Sequence, residues 1–115
     1  MIKRTGNRKV LHEVVEHNGV LYVAGVAASD VSLDIVGQTT QTLKQIEDLL
    51  TAHGSSRNHV LSALIFITDM SLKPAMNKVW QEWFASSHLP TRATIGVNDL
   101  GKGILIEIVV TAAAG

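Results

Sequence analysis

Val60-Leu61-Ser62-Ala63-Leu64-Ile65-Phe66-Ile67-Thr68 is the stretch on which the fold turns. It is a nearly continuous apolar run, which reads as a central strand buried on both faces. A helix is expected on either side of it. Upstream, residues 34–53 place Ile35, Val36, Leu43, Ile46, Leu49 and Leu50 largely at the 3.6 period. Ser32 or Asp34 can cap that helix, and Gly54 stands where a left-handed stop is wanted. Downstream, Ser71 can cap a second helix that tolerates Pro74 in its first turn. There Met76, Val79, Trp80, Trp83 and Phe84 form an amphipathic stripe that faces the core.

Further out, Asn18-Gly19 lies between the β-rich runs 11–17 and 20–26, the strongest short signal for a hairpin. Residues 27–33 and 55–58 read as loops. Residues 1–10 read as irregular, with Lys3, Arg4, Arg8 and Lys9 forming a solvated basic arm. After Pro90 come a strand over 92–97, a turn over 99–103 and a last strand over 104–112. The order is ββαβαββ, an α+β class fold in which two βαβ passages build one mixed sheet with both helices on one face. The other face would be bare and apolar, so it is expected to be covered by other subunits.

The 115 residues make one domain, 1–115. An apolar share of 46% against 4% aromatic residues requires a core of Val, Ile, Leu and Ala. Ten basic residues balance ten acidic ones, which argues against a nucleic-acid partner and leaves self-association unopposed. There is no cysteine, which excludes disulfides, thiolate catalysis and cysteine-bound metal. No apolar run reaches membrane-spanning length and no signal-peptide pattern opens the chain. The expectation is a cytoplasmic protein with no membrane partner.

Few residues carry chemistry. His12, His17, His53, His59 and His88 show no metal-ligand spacing, so no metal or other cofactor is expected. Gly101-Lys102-Gly103 lacks the spacing of a phosphate-binding loop and reads as a tight turn, and no serine has a nucleophile-elbow context. Two residues stand out. Glu107 is the only charge in Ile104-Leu105-Ile106-Glu107-Ile108-Val109-Val110, and a buried carboxylate must be paired, solvated in a pocket or protonated. Arg92 opens what reads as the adjacent strand, and its planar fork suits a carboxylate. From spacing alone, an Arg92–Glu107 salt bridge at a sheet edge and a ligand site both remain open.

Leu89-Pro90-Thr91-Arg92-Ala93-Thr94 resembles the "PxR" signature of the Rid (YjgF) superfamily, and Ile106-Glu107-Ile108 resembles its closing "EI" strand. Asn77 sits where that family places an asparagine. Phe66-Ile67-Thr68-Asp69-Met70 is similar to its "F-x-x-D" stretch, and Gly25 matches the glycine that closes its second strand. The resemblance spans nearly the whole chain. It implies a chorismate-mutase-like fold and a homotrimer with clefts between subunits. It also implies hydrolysis of reactive enamines and imines to 2-keto acids and ammonia without a cofactor. By the same resemblance Arg92 would hold a substrate carboxylate and Glu107 would help to position water, with Asn77, Gly25 and Thr94 as pocket neighbours. The alternative is a trimeric, non-catalytic binder or sensor of small carboxylates. RNA cleavage, attributed to some members, is disfavoured by the zero net charge. Three departures place the chain in a divergent branch. Leu11 stands near the position of a tyrosine, Ala24 in the place of a serine, and Thr94 in that of a cysteine.

Overall fold

The structure is a computed structural model that describes all residues, Met1 to Gly115. Its first ten residues are not an irregular arm. Lys3–Asn7 forms β1, which pairs antiparallel with β2, His12–His17. Lys9 makes the turn between them at φ 70°, and its N–H donates to the Asn7 side chain at 3.1 Å. β1 lies at the edge of the sheet and is exposed on both faces. Backbone pairing and a 3.5 Å contact from the Asn7 amide to the His12 ring hold it, so its side chains carry no alternation that sequence could reveal. The order is therefore βββαβαββ, one strand more than expected.

Asn18 and Gly19 take φ 50° and 77° and close the hairpin from β2 into β3, Val20–Val23. β3 is shorter than expected, and the chain returns to the sheet only at a bridge between Val26 and Ile108. Helix α1 runs over Ile35–Ala52. Its cap is Asp34, which accepts from the Gly37 N–H at 2.9 Å, and Gly54 follows its end at φ 76°. β4 is Val60–Ile67, and α2 is Lys73–Trp83 with Pro74 in its first turn. Ser71 does not cap α2. Its N–H and hydroxyl both donate to Asp69, which closes a 3-10 turn before the helix. β5, Thr91–Gly96, and β6, Ile106–Ala113, complete the sheet in the order β1-β2-β3-β6-β4-β5. β4 and β5 are parallel; the other neighbours are antiparallel.

Both helices pack on one face. Ile106, Ile108, Val110 and Ala112 of β6 point to them, as do Ala63, Ile65 and Ile67 of β4. Met76, Val79, Trp80 and Phe84 close that core, as the stripe predicts. Arg57 locks the two helices together: it pairs with Glu47 of α1, donates to the Trp83 carbonyl at 2.9 Å and stacks on the Trp83 ring. The opposite face carries Val15, Tyr22, Leu64, Phe66, Val109 and Ile95, and no helix covers it. Tyr22, Leu64 and Ile95 are each more than 40% exposed there. In the protomer β4 is thus buried on one face rather than two, because the apolar run serves the open face as well as the core. No helix is long and apolar enough to cross a membrane.

Ile65 is fully buried at the centre of the sheet. Ile65→Ala is expected to cost about 3 kcal/mol in urea unfolding, seen as a lower midpoint at an unchanged slope.

Candidate functional site

Pro90 decides where β5 begins. The residue before a proline is pushed to extended backbone, and Leu89 has φ −67° and ψ 133°. The 3-10 turn Ser86–His88 ends there and β5 starts at Thr91. Arg92 is the second residue of β5, in register with Ala63, so its side chain lies on the helix side of the sheet. Its guanidinium stands 5.3 Å from the centre of the Trp80 ring. Neither an ion pair nor a hydrogen bond to the protein engages it. Desolvation lowers its pKa. A guanidinium deprotonates only far above neutral pH, so the site holds a standing cation with five free N–H donors.

Arg92 lies in a pocket of about 290 Å³ with Asn77, Trp80, Gln81, Leu89 and Pro90. Asn77 and Gln81 stand one turn apart on α2, so both reach the same side. Thr94 is in register with Ile65 and points to the helix side, as Arg92 does. Asn77 Oδ1 and Thr94 Oγ1 are buried and have no hydrogen-bond partner, as is true of Thr39 and Thr42 Oγ1 on α1, and of these Asn77 lines the pocket. Buried polar atoms are nearly always paired. An unpaired charge on β5 and an unpartnered amide oxygen on α2 that line one pocket are therefore the features of a ligand site. Such a set suits a small anion: the guanidinium donates, and the asparagine amide can turn to donate as well.

Glu107 is elsewhere. It is in register with Phe66, between the inward-pointing Ile106 and Ile108, and therefore lies on the open face. β4 stands between β5 and β6, so the Arg92 and Glu107 strands are not neighbours as expected, and no salt bridge joins the two residues. Gly25 lies over Glu107. A Cβ on Gly25 would sit 2.5 Å from Glu107 Oε2, so glycine leaves the Glu107 carboxylate room in the position it takes. Gly25 also lines a hollow of about 410 Å³, with Leu11, Ala24 and Leu49 as apolar walls and the Arg8–Glu13 ion pair, 3.3 Å, among its polar residues.

The predicted residues thus form two groups: Arg92, Asn77 and Thr94 toward the helices, Glu107 and Gly25 on the open face. Sequence reasoning missed Trp80 and Gln81 as pocket residues. Trp80 was assigned to the core, and it is 4% exposed, yet its ring also faces Arg92. Helical spacing from Asn77 could have found both. His88 does not line the pocket; its ring bonds to Ser87 at 2.9 Å. No group of three or more histidine, aspartate or glutamate side chains is arranged to hold a metal.

A family model described as Endoribonuclease L-PSP matches residues 2–114. A RutC family protein of Haemophilus ducreyi is 34% identical over 113 residues, 98% of this chain and 97% of its own. The RutC family protein YoaB of Escherichia coli is 37% identical over 88% of both chains. Among solved structures, a member of the YjgF protein family from Neisseria meningitidis superposes with a TM-score of 0.93 at 31% identity, covering 98% of this chain and 94% of its own.

Two substitutions check the geometry. Thr94→Val removes an unpartnered hydroxyl at constant shape, so the free protein is expected to gain up to about 1 kcal/mol on thermal or urea unfolding. Gly25→Ala is expected to fold and to drive the Glu107 carboxylate, the movable end of that contact, into another rotamer visible in a crystal structure.

Proposed function

The chain belongs to the Endoribonuclease L-PSP family, the YjgF or Rid proteins, and on that premise we propose that it hydrolyses 2-imino acids to 2-keto acids and ammonia. The observation that carries this reading is the unpaired Arg92 in one pocket with Asn77, whose Oδ1 is buried and unpartnered. A 2-imino acid brings the carboxylate these groups lack. Two parallel N–H···O bonds from Arg92 would fix its plane, with the Asn77 amide beside it.

The reaction needs little more. The protonated imine carbon is already electrophilic, so a positioned water and a base suffice. Water adds to C2 of R–C(=NH2⁺)–COO⁻ while a carboxylate takes one of its protons. The same carboxylate returns that proton to the amine, then takes the hydroxyl proton as the C–N bond breaks and passes it to the departing ammonia, so that the 2-keto acid leaves with ammonium. Glu107 is the group for this step, but it lies across the sheet from the Arg92 of its own protomer. The site is therefore composite. A second copy presents its open face, with Glu107 and Gly25, to the Arg92 edge of the first. A homotrimer closed in this way has three such clefts and covers the apolar face.

A second reading follows from the same separation. The carboxylate-holding half is complete in one protomer, so an assembly that keeps Glu107 away would bind keto acids without turning anything over.

Imino acids generated with an amino-acid oxidase supply the test. The protein should accelerate their decay, and Arg92→Ala should lower kcat/KM by about 100-fold or more, the scale of a lost buried charge-assisted contact. Glu107→Gln should lower kcat and leave KM nearly unchanged. Mixing these two variants under refolding should restore roughly a quarter of the parental turnover, because random assembly rebuilds that share of intact clefts. If neither variant differs from the parent, the proposal fails. Stabilisation by 2-ketobutyrate that depends on Arg92, with no turnover, would establish the binder instead.

A further inference from the structure

Glu107 makes no hydrogen bond and no ion pair within the protomer. A side chain without partners is aimed by its backbone alone. That backbone is paired with Phe66 of β4, and a pair of glutamines on α1 fixes the segments that lead into it and lie over it.

Gln38 is 1% exposed, a neutral amide sunk in the core. Its Nε2 donates to the carbonyls of Gly103 at 2.9 Å and Leu33 at 3.0 Å, with Val31 further off at 3.3 Å. Its Oε1 accepts from the N–H of Leu105 at 2.9 Å. Only one orientation of the amide meets three carbonyls and one N–H in this way. The carbonyl of Leu105 in turn accepts from the Thr68 N–H at 3.1 Å. Leu105 is thus held from both sides one residue before β6 begins and two before Glu107. Gly103 permits the approach: it has φ 77°, and a Cβ there would lie 3.0 Å from Val31.

Gln45 holds the other segment. Its Nε2 donates to the Ala27 carbonyl at 2.9 Å, and its Oε1 accepts from the N–H and hydroxyl of Ser29 at 3.0 and 2.5 Å. Ala27 lies two residues beyond Gly25, which covers Glu107. Paired hydrogen bonds between Val26 and Ile108, both 2.9 Å, join the two segments. The strand that carries Glu107 and the strand that lies over it are therefore both fastened to α1 by glutamine amides. An amide is required, because each site needs a donor and an acceptor at once. A glutamate would set negative charge against carbonyls in a dry interior.

We propose that Gln38, seconded by Gln45, is the positioning residue that sets the Glu107 carboxylate in the cleft. This rests on the reading of Glu107 as the group that positions water. Displacements of about 1 Å at a reacting centre cost up to 100-fold in rate. Gln38→Glu keeps the acceptor for Leu105 and loses the donor to Gly103. It is expected to lower kcat on imino acids by about tenfold or more with KM within about twofold, since Arg92 is untouched. In a Glu107→Gln background the same change should cost little further. Gln45→Met, whose loop lies nearer the surface, should lower kcat less, and it serves if Gln38→Glu does not fold. Gln41→Met is the control, because Gln41 accepts only from the Asp30 N–H, and it should leave kcat unchanged. Equal losses in both Glu107 backgrounds would mean that Gln38 merely stabilises the fold, and the inference falls. If the parent turns over no imino acid, the proposed function fails, but the positioning claim does not go with it. The NMR signal of the Glu107 carboxyl carbon must then shift with Gln38→Glu and stay put with Gln41→Met. An unmoved signal overturns the inference.

Discussion

The alternation of side chains along a strand is the constraint on which this molecule depends. Successive residues point to opposite faces, with no exception short of a bulge. Arg92 shares a face with Ala63, and Glu107 shares the other with Phe66. Those two registers settle that no single copy of the chain can bring the guanidinium and the carboxylate together. They also settle which face closes. Ile65, Ile108 and Val110 take the helices, and Leu64, Val109 and Ile95 are left outside. The site and the bare face are consequences of one geometry.

Most of the fold was legible because the helices and the hairpin turn leave local marks. Asp34 and Gly54 bracket α1, and Pro74 enters α2 where a missing N–H does no harm. Asn18 and Gly19 adopt the positive φ their types allow. β1 was hidden, since an edge strand with two wet faces needs no pattern. The order of the strands was hidden too. β5 and β6 are successive in the chain and alternate in the sheet with β4 between them, a long-range choice made by the crossover through α2. That is why Arg92 and Glu107 were each recognisable as residue types while their relation was not. Asn77 and Thr94 gained their meaning only in three dimensions, as polar atoms that the fold buries and does not pair.

The family model carries the name of an endoribonuclease, and the function proposed here takes a smaller ligand. Holding RNA requires several cations along a track of phosphates. Ten acidic residues balance the ten basic ones, and Lys3, Arg4, Lys9, Lys73, Lys78 and Lys102 are cations without an ion pair. Arg8 is paired with Glu13, Lys44 with Glu47 and Asp48, and Arg57 with Glu47. Arg92 is the cation that a pocket encloses without a counterion, and a pocket of about 290 Å³ admits one small anion rather than a polymer.

An unpaired guanidinium at a half-buried position is unfavourable in the free protein, and the Trp80 face offsets only part of that cost, about 1–2 kcal/mol for a cation over a ring. In the proposed function the ligand carboxylate supplies the rest, so affinity at Arg92 belongs to the protomer. Turnover does not. In the proposed assembly Glu107 arrives on a neighbour's open face, and that face is apolar enough to leave water only against another subunit. The glutamine amides on α1 hold Glu107 in place before the neighbour comes, so docking brings a finished half-site to a finished half-site. Binding can then persist in a protomer that has lost its partners, while hydrolysis and assembly stand or fall together.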